Sequence, residues 1–198
     1  MRSWPVSKRW HRSREAAIFT VANQITVLRM LLIPAFVLLV LYGYFGWALI
    51  VFTIAGVTDA LDGLIARWTG QKTALGAWLD PAADKLLLVT TFIVLTLPNI
   101  GLVNKIPVWL TVLIISRDIG IVLTVAIVSL AIGPRTFVPS LLGKGATALF
   151  IVTCVVVMYF NYLGTTSWIV DAFIWASLVI TLVSGIDCVF RVAKIINQ

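Results

Sequence analysis

The sequence is short of charge, of histidine and of cysteine. Charged side chains make up 12% of its 198 residues, about half the ~25% usual for a soluble domain. Its one histidine, His11, sits in a basic N-terminal stretch. That excludes most histidine-based zinc sites and a Ser-His-Asp triad within the chain. The cysteines, Cys154 and Cys188, both lie in apolar runs. They read as small buried hydrophobes rather than a disulfide or a metal pair. No internal repeat or low-complexity segment is evident. Residues 1–20 lack an apolar core followed by a small-residue cleavage site, so no cleavable leader is expected.

Apolar residues are abundant, at 61% of the chain, and the mean hydropathy is +1.05. A bilayer core about 30 Å thick takes roughly 20 apolar residues per helical span. Six candidate spans fit, at about 26–45, 46–66, 75–97, 107–132, 145–163 and 168–190. The expected fold is an all-α polytopic membrane protein of six transmembrane helices with an N-terminal interfacial segment. Residues 1–20 form a basic juxtamembrane segment, and 21–198 form a single domain. Short connections favour antiparallel neighbours in a bundle.

The net charge of +7 follows topology rather than nucleic acid, and no nucleic-acid partner is expected. Arg2, Lys8, Arg9, Arg12 and Arg14 precede the first span. Arg67 and Lys72 lie between spans two and three, Arg135 and Lys144 between four and five, and Arg191 and Lys194 near the C-terminus. The opposite connections carry only Lys105. The positive-inside rule therefore places both termini in the cytoplasm. Residues 1–20 also hold Trp4, Trp10, Ile18 and Phe19. The segment reads either as an amphipathic helix on anionic lipid or as a topogenic tail.

Against this background stands "TDALDGLIARWTGQKTALGAWLDPAADK", residues 58–85. Asp59 and Asp62 are three residues apart, which puts them on one helix face. Gly76, Asp80 and Asp84 are spaced by four and share a face of the next helix. Carboxylates converging in an apolar chain must be protonated or neutralised by cations. Oxygen-only donors suit a hard cation, Mg²⁺ or Mn²⁺, and two such ions can clamp a diphosphate. Arg67 can bond phosphate oxygens. Gly63, Ala66 and Gly76 either admit a bulky ligand to the backbone or let helices pack closely.

The stretch fits D-x2-D-G-x2-A-R-x8-G-x3-D-x3-D through Asp59, Asp62, Gly63, Ala66, Arg67, Gly76, Asp80 and Asp84. It resembles the signature of the CDP-alcohol phosphatidyltransferase family. "NQITVLR" at 23–29 resembles the family's N-x-x-T-x-x-R element, and "ISRD" at 115–118, "PSLLGKGAT" at 139–147 and "VSGIDCVFR" at 183–191 resemble later elements. The likeness spans roughly residues 20–195. It implies a six-helix enzyme, commonly a homodimer, that moves a substituted phosphate from a CDP-alcohol to a hydroxyl and releases CMP. It implies two Mg²⁺ or Mn²⁺ ions on Asp59, Asp62, Asp80 and Asp84, with Asp84 also the catalytic base. Thr26, Asp62, Gly63, Ala66, Arg67 and Gly76 would hold the CDP part. The implied setting is the bacterial cytoplasmic membrane, with the site on the cytoplasmic side.

The acceptor rests on fewer residues. Arg117, in the middle of an apolar span, reads as a partner of Asp118 or another acid, or as a contact to an anionic acceptor. Lys144 and Arg135 would bind acceptor phosphate or set topology. Arg29 would snorkel or face the site. The N-terminal and C-terminal elements resemble the phosphatidylglycerophosphate synthase branch, which would make glycerol 3-phosphate the acceptor beside CDP-diacylglycerol. That branch often has a second lysine where Ala146 stands. "IISRDIGI" and "GPRTF" resemble the cardiolipin synthase branch, with phosphatidylglycerol as acceptor. Glycerol 3-phosphate is the first expectation and phosphatidylglycerol the second. A transporter would spread its acids through the membrane and repeat its helices. Here the core acids cluster near one face, with Asp118 and Asp187 the exceptions, each expected to pair with a nearby base.

Overall fold

The computed structural model describes the backbone of residues 21–69, 74–132 and 141–196, and the side chains of 27–58, 85–124 and 141–191. Among these residues the secondary structure is six helices and no strand. They are α1 (Val21–Leu41), α2 (Phe45–Thr69), α3 (Ala74–Thr96), α4 (Val108–Ile132), α5 (Leu141–Leu163) and α6 (Trp168–Ile196). The basic segment at 1–20 lies outside the described residues.

The chain turns tightly where its glycines allow it. Gly43 adopts φ +78° and ends α1 at Leu41, short of the expected 45. Its N–H bonds the Val40 carbonyl at 3.0 Å, and the Tyr44 N–H bonds Leu39 at 2.8 Å. This is a Schellman cap, in which two late N–H groups satisfy carbonyls the helix leaves open. Gly164 does the same for α5, with φ +66° and bonds from Gly164 to Asn161 and from Thr165 to Phe160. A side chain at either position would strain the left-handed backbone.

Helix α1 packs against both α2 and α3, α5 packs against α6 and α2, and α4 packs chiefly against α6. The helices that carry the two aspartate pairs thus share α1 as a common neighbour. The core between them holds Phe36, Phe52, Phe92, Leu110, Phe150 and Met158. Phe92 meets Phe150 edge-on at 5.8 Å, an arrangement aromatic rings favour.

The outer surface is apolar as well. Leu31, Trp47, Trp168, Val189 and Phe190 all stand exposed among many other large apolar side chains. Leu141–Leu163 and Trp168–Arg191 are each long and apolar enough to cross a membrane. Together with the apolar outer surface, this marks a membrane-associated protein.

Polar side chains tie the helices to one another. Thr153 and Ser177 share a buried 2.8 Å hydrogen bond between α5 and α6. Thr96 and Thr111 are linked at 2.6 Å between α3 and α4. The most complete lock is Asn161. Its Oδ1 accepts from the Asn104 N–H at 2.9 Å, and its Nδ2 donates to the carbonyls of Asn104 and Val157, each at 2.8 Å. Asn104 Nδ2 in turn donates to the Thr165 carbonyl at 2.8 Å. Asn161→Ala leaves buried backbone groups of Asn104 unpaired, at about 1–3 kcal/mol per group. The variant is expected to unfold in detergent at a clearly lower temperature, with unchanged acceptor preference. A melting temperature within a degree of wild type would show that the lock is dispensable.

Candidate active site

The aspartate motif occupies two helices. Asp59, Asp62, Gly63, Ala66 and Arg67 lie in the last turns of α2, and Gly76, Asp80 and Asp84 in the first half of α3. Thr26 and Arg29 lie in the early turns of α1, the helix against which both α2 and α3 pack. The side chains of Thr26 and of the motif residues fall outside the described ones, so their placement is one of helix and register. Arg135 falls outside the described residues altogether. Arg29 is only 1% exposed, so it is held within the bundle rather than snorkelling to the surface. Among the described side chains no group of three or more His, Cys, Asp or Glu gathers.

Beside the motif lies a charged cluster that links three helices. Lys85, the residue after Asp84, donates from Nζ to Asp118 Oδ2 at 2.5 Å. Arg117 Nη1 donates to Asp118 Oδ1 at 2.7 Å, and its Nη2 donates to Ser184 Oγ. Thus α3 and α4 meet at the Asp118 carboxylate, and Arg117 links it onward to Ser184 of α6. The Arg117 side chain is 7% exposed and Asp118 is 11% exposed, while Lys85 is 44% exposed. Buried charges persist when they are paired and hydrogen-bonded, and these are. Two cations around one carboxylate leave the cluster at net +1. Lys85 follows Asp84 directly along α3.

Asp118 and Asp187 therefore each find a base. Asp118 takes two, and Asp187 accepts from Arg191 Nε at 2.8 Å one helical turn away. Lys85 and Ser184 had no role in the sequence reading. Both lie inside stretches that carry the family likeness, and the need of a mid-span arginine for partners was the available signal. Lys144 sits exposed in the first turn of α5. Ala146, two residues on, is fully buried and faces the core. Cys154 is buried as expected, but Cys188 is only half-buried. It lines an open groove of about 700 Å³ between α4 and α6.

The family profile of CDP-alcohol phosphatidyltransferases matches residues 19–183. The chain belongs to that family. It is a CDP-alcohol phosphatidyltransferase, an enzyme of phospholipid synthesis. It is 31% identical over 188 residues to a Mycobacterium tuberculosis protein named "Probable phosphatidylglycerophosphate synthase", covering 90% of this chain and 84% of that protein. It is 43% identical over 124 residues to the rat "Cardiolipin synthase (CMP-forming)", covering 60% of this chain and 39% of the relative. The Streptomyces coelicolor protein of the same name is 36% identical over 136 residues, covering 66% and 60%.

Proposed function

We propose that all six helices span the membrane, with both termini and the aspartate motif on the cytoplasmic side. In this reading the enzyme transfers the phosphatidyl group of CDP-diacylglycerol to phosphatidylglycerol, giving cardiolipin and CMP. The homodimer implied by the family resemblance and a bacterial cytoplasmic membrane belong to the same reading.

The observation that carries the acceptor is the net +1 charge of the Lys85–Asp118–Arg117 cluster, whose Lys85 is the residue after Asp84 on α3. It matches the single negative charge of a phosphodiester such as phosphatidylglycerol. A phosphomonoester such as glycerol 3-phosphate brings a charge of about −1.5 to −2 and calls for more cation. Ala146, where a second lysine would supply it, faces the core. Glycerol 3-phosphate is the second reading, favoured by the 90% coverage of this chain by the mycobacterial relative.

Each residue then has a task. The acceptor hydroxyl oxygen bonds the phosphorus of the phosphatidyl group as the bond from that phosphorus to CMP breaks. Asp84 takes the hydroxyl proton. Thr26, Asp62, Gly63, Ala66, Arg67 and Gly76 hold the cytidine diphosphate, with Arg67 on its oxygens. Arg117 binds the acceptor phosphate, while Lys144 and Arg135 draw the anionic acceptor to the cytoplasmic face. The carboxylates of Asp59, Asp62, Asp80 and Asp84 form an all-oxygen set that fits two Mg²⁺ or Mn²⁺ ions. Such ions, when bound, offset the charge that builds on the diphosphate as CMP leaves.

The test is CMP release from CDP-diacylglycerol by the purified protein with Mg²⁺ or Mn²⁺, offered each acceptor in parallel. Release with phosphatidylglycerol alone is expected. Release with glycerol 3-phosphate alone overturns this acceptor and establishes the second reading.

A further inference from the structure

The groove between α4 and α6 has an unusual lining. Gly120 on α4 and Gly185 on α6 leave space beside their backbones, since a Cβ at either would meet nothing within 4 Å. Paired glycines in membrane helices commonly let backbones close up, yet here the gap stays open. Its apolar wall includes Ile186 and Phe190, both exposed. The wall hydroxyls are already committed to their own helices. Ser116 donates to Val112 at 2.6 Å, Thr124 to Gly120 at 2.7 Å and Thr181 to Ser177 at 2.6 Å. The one charged residue in the wall is Arg117, whose Nε is buried and without a hydrogen bond.

An apolar trough with a single cationic residue in its wall suits an amphiphile with an anionic head. We infer that the α4–α6 groove is the seat of the acceptor phospholipid, a monoanionic glycerophospholipid. Its phosphodiester meets Arg117, and its acyl part lies along the glycine-lined wall. The inference rests on the phosphatidylglycerol reading above and adds to it the place where that lipid docks. A volume of about 700 Å³ falls in the ~300–1,000 Å³ range of ligand pockets, enough for part of a lipid with the rest left in the bilayer. A second copy of the chain packing here would bring apolar side chains, whereas an anionic lipid also offsets the net +1 charge of the cluster to which Arg117 belongs. Charge complementarity therefore favours the lipid.

Phosphatidylglycerol carrying a diazirine in one acyl chain is irradiated with the intact protein in detergent, and the adducts are mapped by peptide. Adducts are expected on residues 113–124 and 181–190, cut at least about fivefold in Gly120→Leu and Gly185→Leu, which fill open space. The same variants are expected to raise KM for dioleoyl-phosphatidylglycerol about tenfold relative to that for the dihexanoyl form, whose short tails need less groove. Gly185→Ala moves both readings in the same direction by less and guards against a misfolded leucine variant. Adducts elsewhere, adducts indifferent to the substitutions, or equal groove labelling by a diazirine CDP-diacylglycerol overturn the inference. CMP release confined to glycerol 3-phosphate fails the acceptor reading itself. Phosphatidylglycerol-dependent CMP release without groove adducts fails the groove alone.

Discussion

Asp84→Asn is expected to lower kcat by roughly 10³-fold while CDP-diacylglycerol still binds. A positioned general base contributes about 10²–10⁴ in rate, and asparagine keeps the size of the side chain but accepts no proton. Asp84 lies in the third turn of α3, one turn past Asp80 and directly before Lys85. Lys85 is anchored across to Asp118 at 2.5 Å. The backbone at Asp84 is therefore tied at its next residue to another helix, which favours a fixed approach to the acceptor hydroxyl. The substitution keeps one side-chain oxygen for a divalent ion, so donor binding should weaken far less than turnover. Two measurements decide it: CMP release, and the affinity for a fluorescent CDP-diacylglycerol analogue. Turnover within about tenfold of wild type would move the base to another residue. Equal loss of turnover and binding would make Asp84 a metal ligand alone.

The helices were legible because hydropathy sees apolar length. Their ends were not, because hydropathy does not see caps or charge pairs. The apolar run through Tyr42 and Phe45 reads as continuous helix, yet the Gly43 cap stops α1 at Leu41. The run after Phe190 turns polar, yet α6 continues to Ile196. Arg191 pairs with Asp187 one turn back, and that helps a polar end stay helical. Helix α5 likewise starts at Leu141 rather than 145, which brings Lys144 into its first turn.

The site divides the same way. The aspartate register is local, set by spacings of three and four along single helices, so the sequence reads it directly. The partners of Arg117 are not local. Ser184 lies on another helix, and Lys85 joins the cluster from a third. Which faces meet depends on how α3, α4 and α6 are rotated in the bundle, and one sequence does not carry that information. Asp118 as a partner of Arg117 was foreseeable because it is the adjacent residue. That it bridges two cations was not. The Asn104–Asn161 lock was hidden for the same reason, since its halves are 57 residues apart.

Asp118→Ala is expected to destabilise the protein by about 3–5 kcal/mol, the cost of breaking a buried pair and stranding its partner. Most of this falls on Arg117, which is nearly buried. Lys85, at 44% exposed, can turn toward solvent, and its share is small. If the network served stability, the triple change Lys85→Met, Asp118→Leu, Arg117→Met should be as damaging as the single one. The opposite is expected. Well-packed apolar replacements of a buried ionic cluster are often neutral or stabilising, so the triple variant should melt near wild type. It should also lose acceptor-dependent CMP release, because the net positive charge of the cluster is gone. Thermal unfolding in detergent and CMP release together separate the two roles. An Asp118→Ala protein within about 1 kcal/mol of wild type would mean that Arg117 finds another acid. A stable triple variant that still turns over phosphatidylglycerol would mean that the cluster has no part in acceptor binding. Stability regained with activity lost would show that the bundle tolerates buried charge here because the reaction needs a fixed cation.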